Sequence, residues 1–335
     1  MVQFSILDYA QIDEGETSYD AIQNTVALAR HAEQLGFKRF WVAEHHDVPA
    51  FASSSPELLM MHIADHTEHI KIGSGGVMIP HYSSYKVAEN IRLLQATHRG
   101  RIDLGVGNTV GTKWVNEALN EGKDKRSYQS AIEDLKAYLY PQMPEDFRFK
   151  ELTARPVVEE SPEIWMLSTS VRNAEYAAQS GVKYCYGLFP GIPGDRFEVG
   201  KEALQAYNDQ FVPNSSKLPK GTMVAVFAAI GETEKEAEEL GKAIHLWLLG
   251  QDDFSHFKRI PSVATARDYP LTTEQKERIK AQEHRVFVAS RQQLKEKLDQ
   301  WIDYFKTDEV LLCLLAPGIK QRMNSLNIIA QEYQL

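Results

Sequence analysis

Eight short runs rich in branched and aromatic residues recur along the chain, and each is followed by a longer segment of helical periodicity. The runs are FSILDYA (4–10), RFWVA (39–43), IKIGSGGVM (70–78), RIDLGVG (101–107), IWMLS (164–168), KYCYGLF (183–189), TMVAVFAAI (222–230) and EVLLCLLA (309–316). Between the first two, YDAIQNTVALARHAEQLG (19–36) keeps Ile22, Val26, Ala29 and the Ala32/Glu33 turn at helical spacing. It stops at Gly36, a natural residue for the left-handed position after a helix. VRNAEYAAQSG (171–181) follows the same plan. Strand–helix alternation calls for parallel pairing through right-handed crossovers, and eight such units close a barrel. An open doubly wound sheet is the competing arrangement. It usually carries a glycine-rich phosphate loop after its first strand, where this chain reads DYAQIDEGE (8–16). The expectation is therefore an α/β fold, a (β/α)8 TIM barrel formed as one domain over residues 1–335.

Two connections are long. The fourth and fifth strands are separated by GNTVGTKWVNEALNEGKDKRS (107–127) and PQMPEDFRFKELTARPVVEESPE (141–163). The seventh and eighth are separated by residues 231–308. Loops at the C-terminal ends of barrel strands carry the chemistry. These insertions after strands 4 and 7 are expected to form a lid and part of the active-site wall.

Charge and composition exclude several classes of function. The formal net charge is −9, with both signs interspersed. An anionic chain without a basic stripe is a poor match to a phosphate backbone, so no nucleic-acid partner is expected. No apolar segment approaches the roughly 18 residues that span a bilayer, and the N-terminus has no basic leader pattern. Cys185 and Cys313 are too few for a disulfide framework or a zinc site. They are expected to be core residues in a reducing, cytoplasmic setting.

The polar residues at the strand ends define a candidate site. WVAEHHD (41–47) breaks from an apolar run into four titratable side chains. Strand alternation sends His45 and His46 to opposite sides, so at most one enters the mouth. Gly73, Gly75 and Gly76 remove side chains where backbone approaches something closely. STSVRN (168–173) sets Thr169 and Ser170 before a helix start with Arg172 in its first turn, an arrangement suited to an anion. Plain capping would need no ligand. An arginine there, however, opposes the helix dipole unless an anion is bound. His62, His66 and His69 share helical spacing, and a metal set of His45, His46 and His81 is conceivable. Neither has the accompanying acidic or thiol ligands of a metal motif.

GFKRFWVAEHHD (36–47), the stretch ASSSPELLMMHIADHTEHIKIGSGGVMIPHYSSYKVAENIRLLQATHRGRIDLGVG (52–107) and STSVRNAEYAAQSG (168–181) together resemble the bacterial luciferase-like family of flavin-dependent monooxygenases, in its non-luminescent branch. The match is dense over residues 1 to about 110, fair over 160–190, and limited to element order beyond. The resemblance implies a barrel with reduced FMN across the strand C-termini. By position, His45 resembles the family's active-site histidine beside the flavin C4a atom. Gly75 and Gly76 match the family's non-proline cis peptide beneath the isoalloxazine, and Thr169, Ser170 and Arg172 match the flavin phosphate pocket. Asn108 stands where many relatives pair an arginine with that phosphate; Arg172, or less directly Arg126, would then supply the charge. The luminescent enzymes' reactive cysteine falls at Gly107.

The resemblance further implies a separate flavin reductase, O2, a small-molecule substrate and a homodimer formed through the helices after strands two and three. His45 would serve as proton donor or acceptor near pH 7. An F420-dependent oxidoreductase and a non-catalytic flavin-binding protein are the alternatives, the latter kept open by Asn108.

Overall fold

A computed structural model describes residues 2–123, 126–192, 194–250 and 257–335. Its strands are β1 (Gln3–Asp8), β2 (Arg39–Val42), β3 (Lys71–Ser74), β4 (Val77–Met78), β5 (Ile102–Gly107), β6 (Glu163–Ser168), β7 (Lys183–Gly187), β8 (Thr222–Gly231), β9 (Val286–Ser290) and β10 (Glu309–Cys313). All pairings between them are parallel. They run β1–β2–β3–β5–β6–β7–β8, and β10 closes the ring by pairing with both β8 and β1. This is the expected eight-stranded (β/α)8 barrel. β3 and β4 form one stave interrupted at Gly75–Gly76, since β5 pairs first with β3 through Ile72↔Ile102 and then with β4 through Val77↔Val106.

The periodicity placed the helices well. The first spans Ser18–Gln34, with the Thr17 hydroxyl accepting from the Asp20 amide at its start and Gly36 in the left-handed region just past its end, at φ +89°. Gly181 ends the helix Val171–Ser180 in the same left-handed conformation. Most of the described residues in 231–308 lie in regular elements. These include the helices Glu234–Leu249, Val263–Asp268, Thr273–Ala281 and Arg291–Phe305, together with β9. β9 was not among the eight runs read from the sequence. It pairs only with the second half of β8, Phe227–Gly231, and so extends the sheet beyond the ring.

Two apolar layers stabilise this arrangement. One lies between the strands and the surrounding helices and includes Ile6, Phe40, Ile72, Leu104 and Val226. The other fills the barrel with Leu7, Trp41, Trp165, Met223, Leu311 and the two cysteines, which are free and buried as expected. Burial pushes both thiols up, away from the thiolate form.

The N-terminal end of the barrel is plugged by charge. Arg39, 2% exposed, donates to Asp103, Glu163 and Glu309, while Lys71 bridges Asp103 and Glu163 and Lys183 pairs with Glu163 at 2.9 Å. Ser5 donates to Glu309, and Trp41 Nε1 to Asp103 at 3.3 Å. Three cations face three carboxylates, so the plug is neutral overall. Burial opposes ionisation of Glu163, but Arg39, Lys183 and Lys71 outweigh it and hold its carboxyl far below the usual range.

Candidate active site at the barrel mouth

At the opposite end, β2 runs out through Ala43 into the polar tetrad. Glu44 turns inward and its buried carboxylate accepts from the Met78 amide (2.8 Å) and the Tyr82 hydroxyl (2.6 Å), with His46 Nε2 at 2.7 Å. It thereby ties the end of β2 to β4. His45 takes the other side. Its half-buried ring lies 4.6 Å from Tyr9 and 5.1 Å from Phe51 between centroids, and its amide donates to Ser53 O. Phe227 and Trp247 continue this wall through Tyr9 and Phe51. Desolvation by this wall, with a smaller contribution from His46, lowers the His45 pKa to about 4. The imidazole is therefore neutral at pH 7. The aromatic wall disfavours the charged form, so a proton donor or acceptor role at pH 7 would fall to the neutral ring.

The Gly75–Gly76 bond is cis, and the Gly75 amide donates to Val42 O at 2.8 Å. The glycines are required by the barrel itself. A Cβ on Gly76 would stand 2.8 Å from the Gly105 carbonyl, and one on Gly75 would stand 2.6 Å from Leu7 Cδ1. Substitution at Gly76 would thus report on strand packing before it reported on a ligand. Gly107 is different: a Cβ there would meet only Val77 O at 3.9 Å, and it opens onto the mouth beside exposed Asn108.

On β6 the lip Ser168–Thr169–Ser170 is half-buried. The Ser170 hydroxyl accepts from the Asn173 amide at 3.3 Å, and Ser168 Oγ accepts from Asn173 Nδ2 at 2.9 Å. Both hydroxyls are thus engaged within the lip. The Val171 and Arg172 amides have no acceptor among the described residues, and the Arg172 side chain is exposed without a partner there. Arg126 is engaged elsewhere. It pairs with Asp134, as does Arg148 at 2.7 Å. The sequence reading missed Arg196, a buried arginine whose Nη2 donates to Thr169 O at 2.7 Å and whose Nε lacks an acceptor. Its place at the start of a helix after β7 carried no local signal.

Among the described residues no group of three metal-ligating side chains converges. The His62 and His66 rings lie 4.7 Å apart, but the helix Pro56–Ala64 ends before His66 and His69, so the three histidines do not share the helical face their spacing suggested. No helix of the described residues is long and apolar enough to cross a membrane.

The fold is thus a parallel (β/α)8 barrel whose candidate site, at the strand C-termini, combines a histidine on an aromatic wall, a glycine-rich stave and an open helix start. The family model for luciferase-like monooxygenases matches residues 2–304, and the chain belongs to that family. N-acetyl-S-alkylcysteine monooxygenase of Bacillus subtilis (strain 168) is 42% identical over 242 residues, 71% of each chain. The solved structure of apo-MsnO8 is 30% identical, with a TM-score of 0.86 over 100% of this chain and 99% of that one. The oxygenating constituent of 3,6-diketocamphane monooxygenase from Pseudomonas putida, solved with FMN, shares the fold at 18% identity and a TM-score of 0.68, covering 99% and 98%.

Proposed function

We propose that the protein is a monooxygenase that takes reduced FMN from a separate reductase and uses O2 to oxidise a small organic molecule with an apolar chain. The observation that carries this reading is His45, a neutral imidazole held against Tyr9 and Phe51 one strand away from Gly75–Gly76. FMN fits the residues present: the Val171 and Arg172 amides and the Arg172 guanidinium, which have no partner among the described residues, suit its phosphate, and Gly107 leaves room at the lip. Bound reduced flavin supplies the electrons that activate oxygen. The chain's own residues do the rest. The aromatic wall excludes water, and Glu44 fixes the Met78 backbone beside the glycine lip. His45, with one N–H and one bare nitrogen, can hold or relay a proton without carrying charge. The oxygenation named for the 42% identical relative favours FMN over F420, because a deazaflavin reacts sluggishly with O2. A thioether such as that relative's substrate is the first candidate. Buried free thiols suit a reducing cytoplasm.

Calorimetric titration with FMN, riboflavin and F420 tests the cofactor. FMN should bind more tightly than the other two; binding of F420 alone would move the assignment to the deazaflavin class. Arg172 is exposed, so Arg172→Ala should weaken FMN by about 1 kcal/mol, roughly fivefold, and leave riboflavin unaffected. Equal losses for both would show that the arginine does not serve the phosphate. Asn108→Arg should tighten FMN.

The homodimer is proposed on the outer face of the helices Pro56–Ala64 and Ser84–Thr97. Leu58 is 75% exposed there and Leu93 51%, beside half-buried Met61. Exposed leucines on adjoining helices suit an interface. Light scattering at micromolar concentration should give twice the chain mass, and Leu58→Asp should shift it toward the monomer. A monomeric wild type would refute the dimer.

A further inference from the structure

We propose that a cavity beside the mouth is a second binding site, for a small aryl carboxylate or a similar organic anion with a flat apolar body. The cavity has a volume of about 300 Å³ and lies between the N-terminal end of the helix Ser84–Thr97 and the helix Tyr128–Leu139. That is within the range of small-molecule pockets.

Three observations converge on this ligand chemistry. The first is an uncapped helix start. The Ser83 side chain makes no cap hydrogen bond, and the Ser84 and Tyr85 amides have no acceptor among the described residues. These donors and the positive end of a 14-residue helix line the cavity. The second is charge. Lys123, Arg126 and Arg148 line it against one carboxylate, Asp134, which the two arginines share. Lys123 is exposed and makes no ion pair among the described residues. Two positive charges are left in excess, within a chain whose net charge is −9. The third is Tyr138, only 6% exposed, which lines the cavity with its hydroxyl buried and without a hydrogen-bond partner among the described residues. A buried unpaired hydroxyl is costly and is relieved by an acceptor.

The walls account for the apolar body. Tyr85 lies 5.2 Å from Tyr138 between ring centroids, and Phe149 lies beneath the Arg148 guanidinium. Aromatic faces of this kind take a flat ring. Tyr82 also lines the cavity and donates to Glu44, so it forms part of the partition between the cavity and the mouth.

Calorimetric titration of the full chain with benzoate, benzyl alcohol and inorganic phosphate tests the site. One benzoate should bind per chain, with benzyl alcohol and phosphate each at least tenfold weaker. Saturating FMN should leave benzoate affinity unchanged. Lys123→Gln and Arg148→Gln combined should weaken benzoate about tenfold or more, and Tyr138→Phe about threefold. Lys123 makes no ion pair among the described residues, so Lys123→Gln alone keeps the test open if the Arg148 variant misfolds; it should weaken benzoate by at least threefold. Absence of benzoate binding, equal binding of benzyl alcohol, tighter binding of phosphate, displacement by FMN, or unchanged affinity in the lysine variant would each overturn the proposal.

Discussion

Arg39→Met is expected to destabilise the fold by about 3–5 kcal/mol, because it strands buried carboxylates without their counter-charge. Asp103 is fully buried, Glu309 is 3% exposed, and both take hydrogen bonds from Arg39. Lys71 and Lys183 would remain, but they reach Asp103 and Glu163, and neither pairs with Glu309. Burial works against the charge on Arg39, yet Asp103 and Glu309 overcome it and raise the guanidinium pKa. The interaction therefore favours the charged arginine strongly, and methionine fills the volume without supplying the charge. Urea unfolding followed by circular dichroism checks the value. Exposed Arg172→Ala serves as the control, with an expected change within about 0.5 kcal/mol. A loss below about 1 kcal/mol in Arg39→Met would mean that water or protonation relieves the carboxylates, and the account of the plug would be wrong.

For His45→Ala, the expected result is a loss of substrate oxidation of about 100-fold, the low end of what a positioned acid–base group contributes. His46→Ala should cost less, since His46 reaches the site only through Glu44, which keeps its Met78 and Tyr82 partners. The comparison requires FMN affinity to be measured alongside turnover, so that a binding defect is not mistaken for a chemical one. The pH dependence follows from the lowered pKa. The ordinary value of 6.5 applies to the unfolded chain and about 4 to the folded one. Between those values the unfolded state binds the proton and the folded state does not, so stability falls as pH drops from about 6.5 to 4. His45→Gln should remove that contribution to the slope of stability against pH. Turnover should show no inflection from His45 between pH 6 and 8. An inflection in that range that disappears in His45→Gln would contradict a neutral imidazole.

The elements of the candidate site were legible because they are local. A strand that ends in EHHD, a stave broken by glycines and a hydroxyl-rich helix start each lie within a few consecutive residues, and each matched the family. Arg196 and Glu44 illustrate the limit. Arg196 supports Thr169 across 27 residues, and the buried role of Glu44 depends on Met78 and Tyr82, which β4 and the following turn bring to it. Arg126, read from the sequence as a second choice after Arg172 for the phosphate charge, is paired by the fold with Asp134. β9 was hidden for a related reason. VFVAS is short, lies among charged helical segments, and is held only by the second half of β8.

The sequence by itself determined the barrel, through eight strand-and-helix units, the number that closes a parallel ring, with no glycine-rich phosphate loop after the first strand to favour an open sheet, and it singled out the end at which the candidate site is placed. Only the tertiary structure decided what the charges at the opposite end do. Arg39, Lys71, Asp103, Glu163, Lys183 and Glu309 stand at or next to the starts of six strands, a pattern that reads along the chain as ordinary solvated strand ends. Ring closure brings Arg39 against partners 64, 124 and 270 residues away and removes water from between them. Pairing and desolvation are properties of that enclosed space, and no local stretch of sequence contains them.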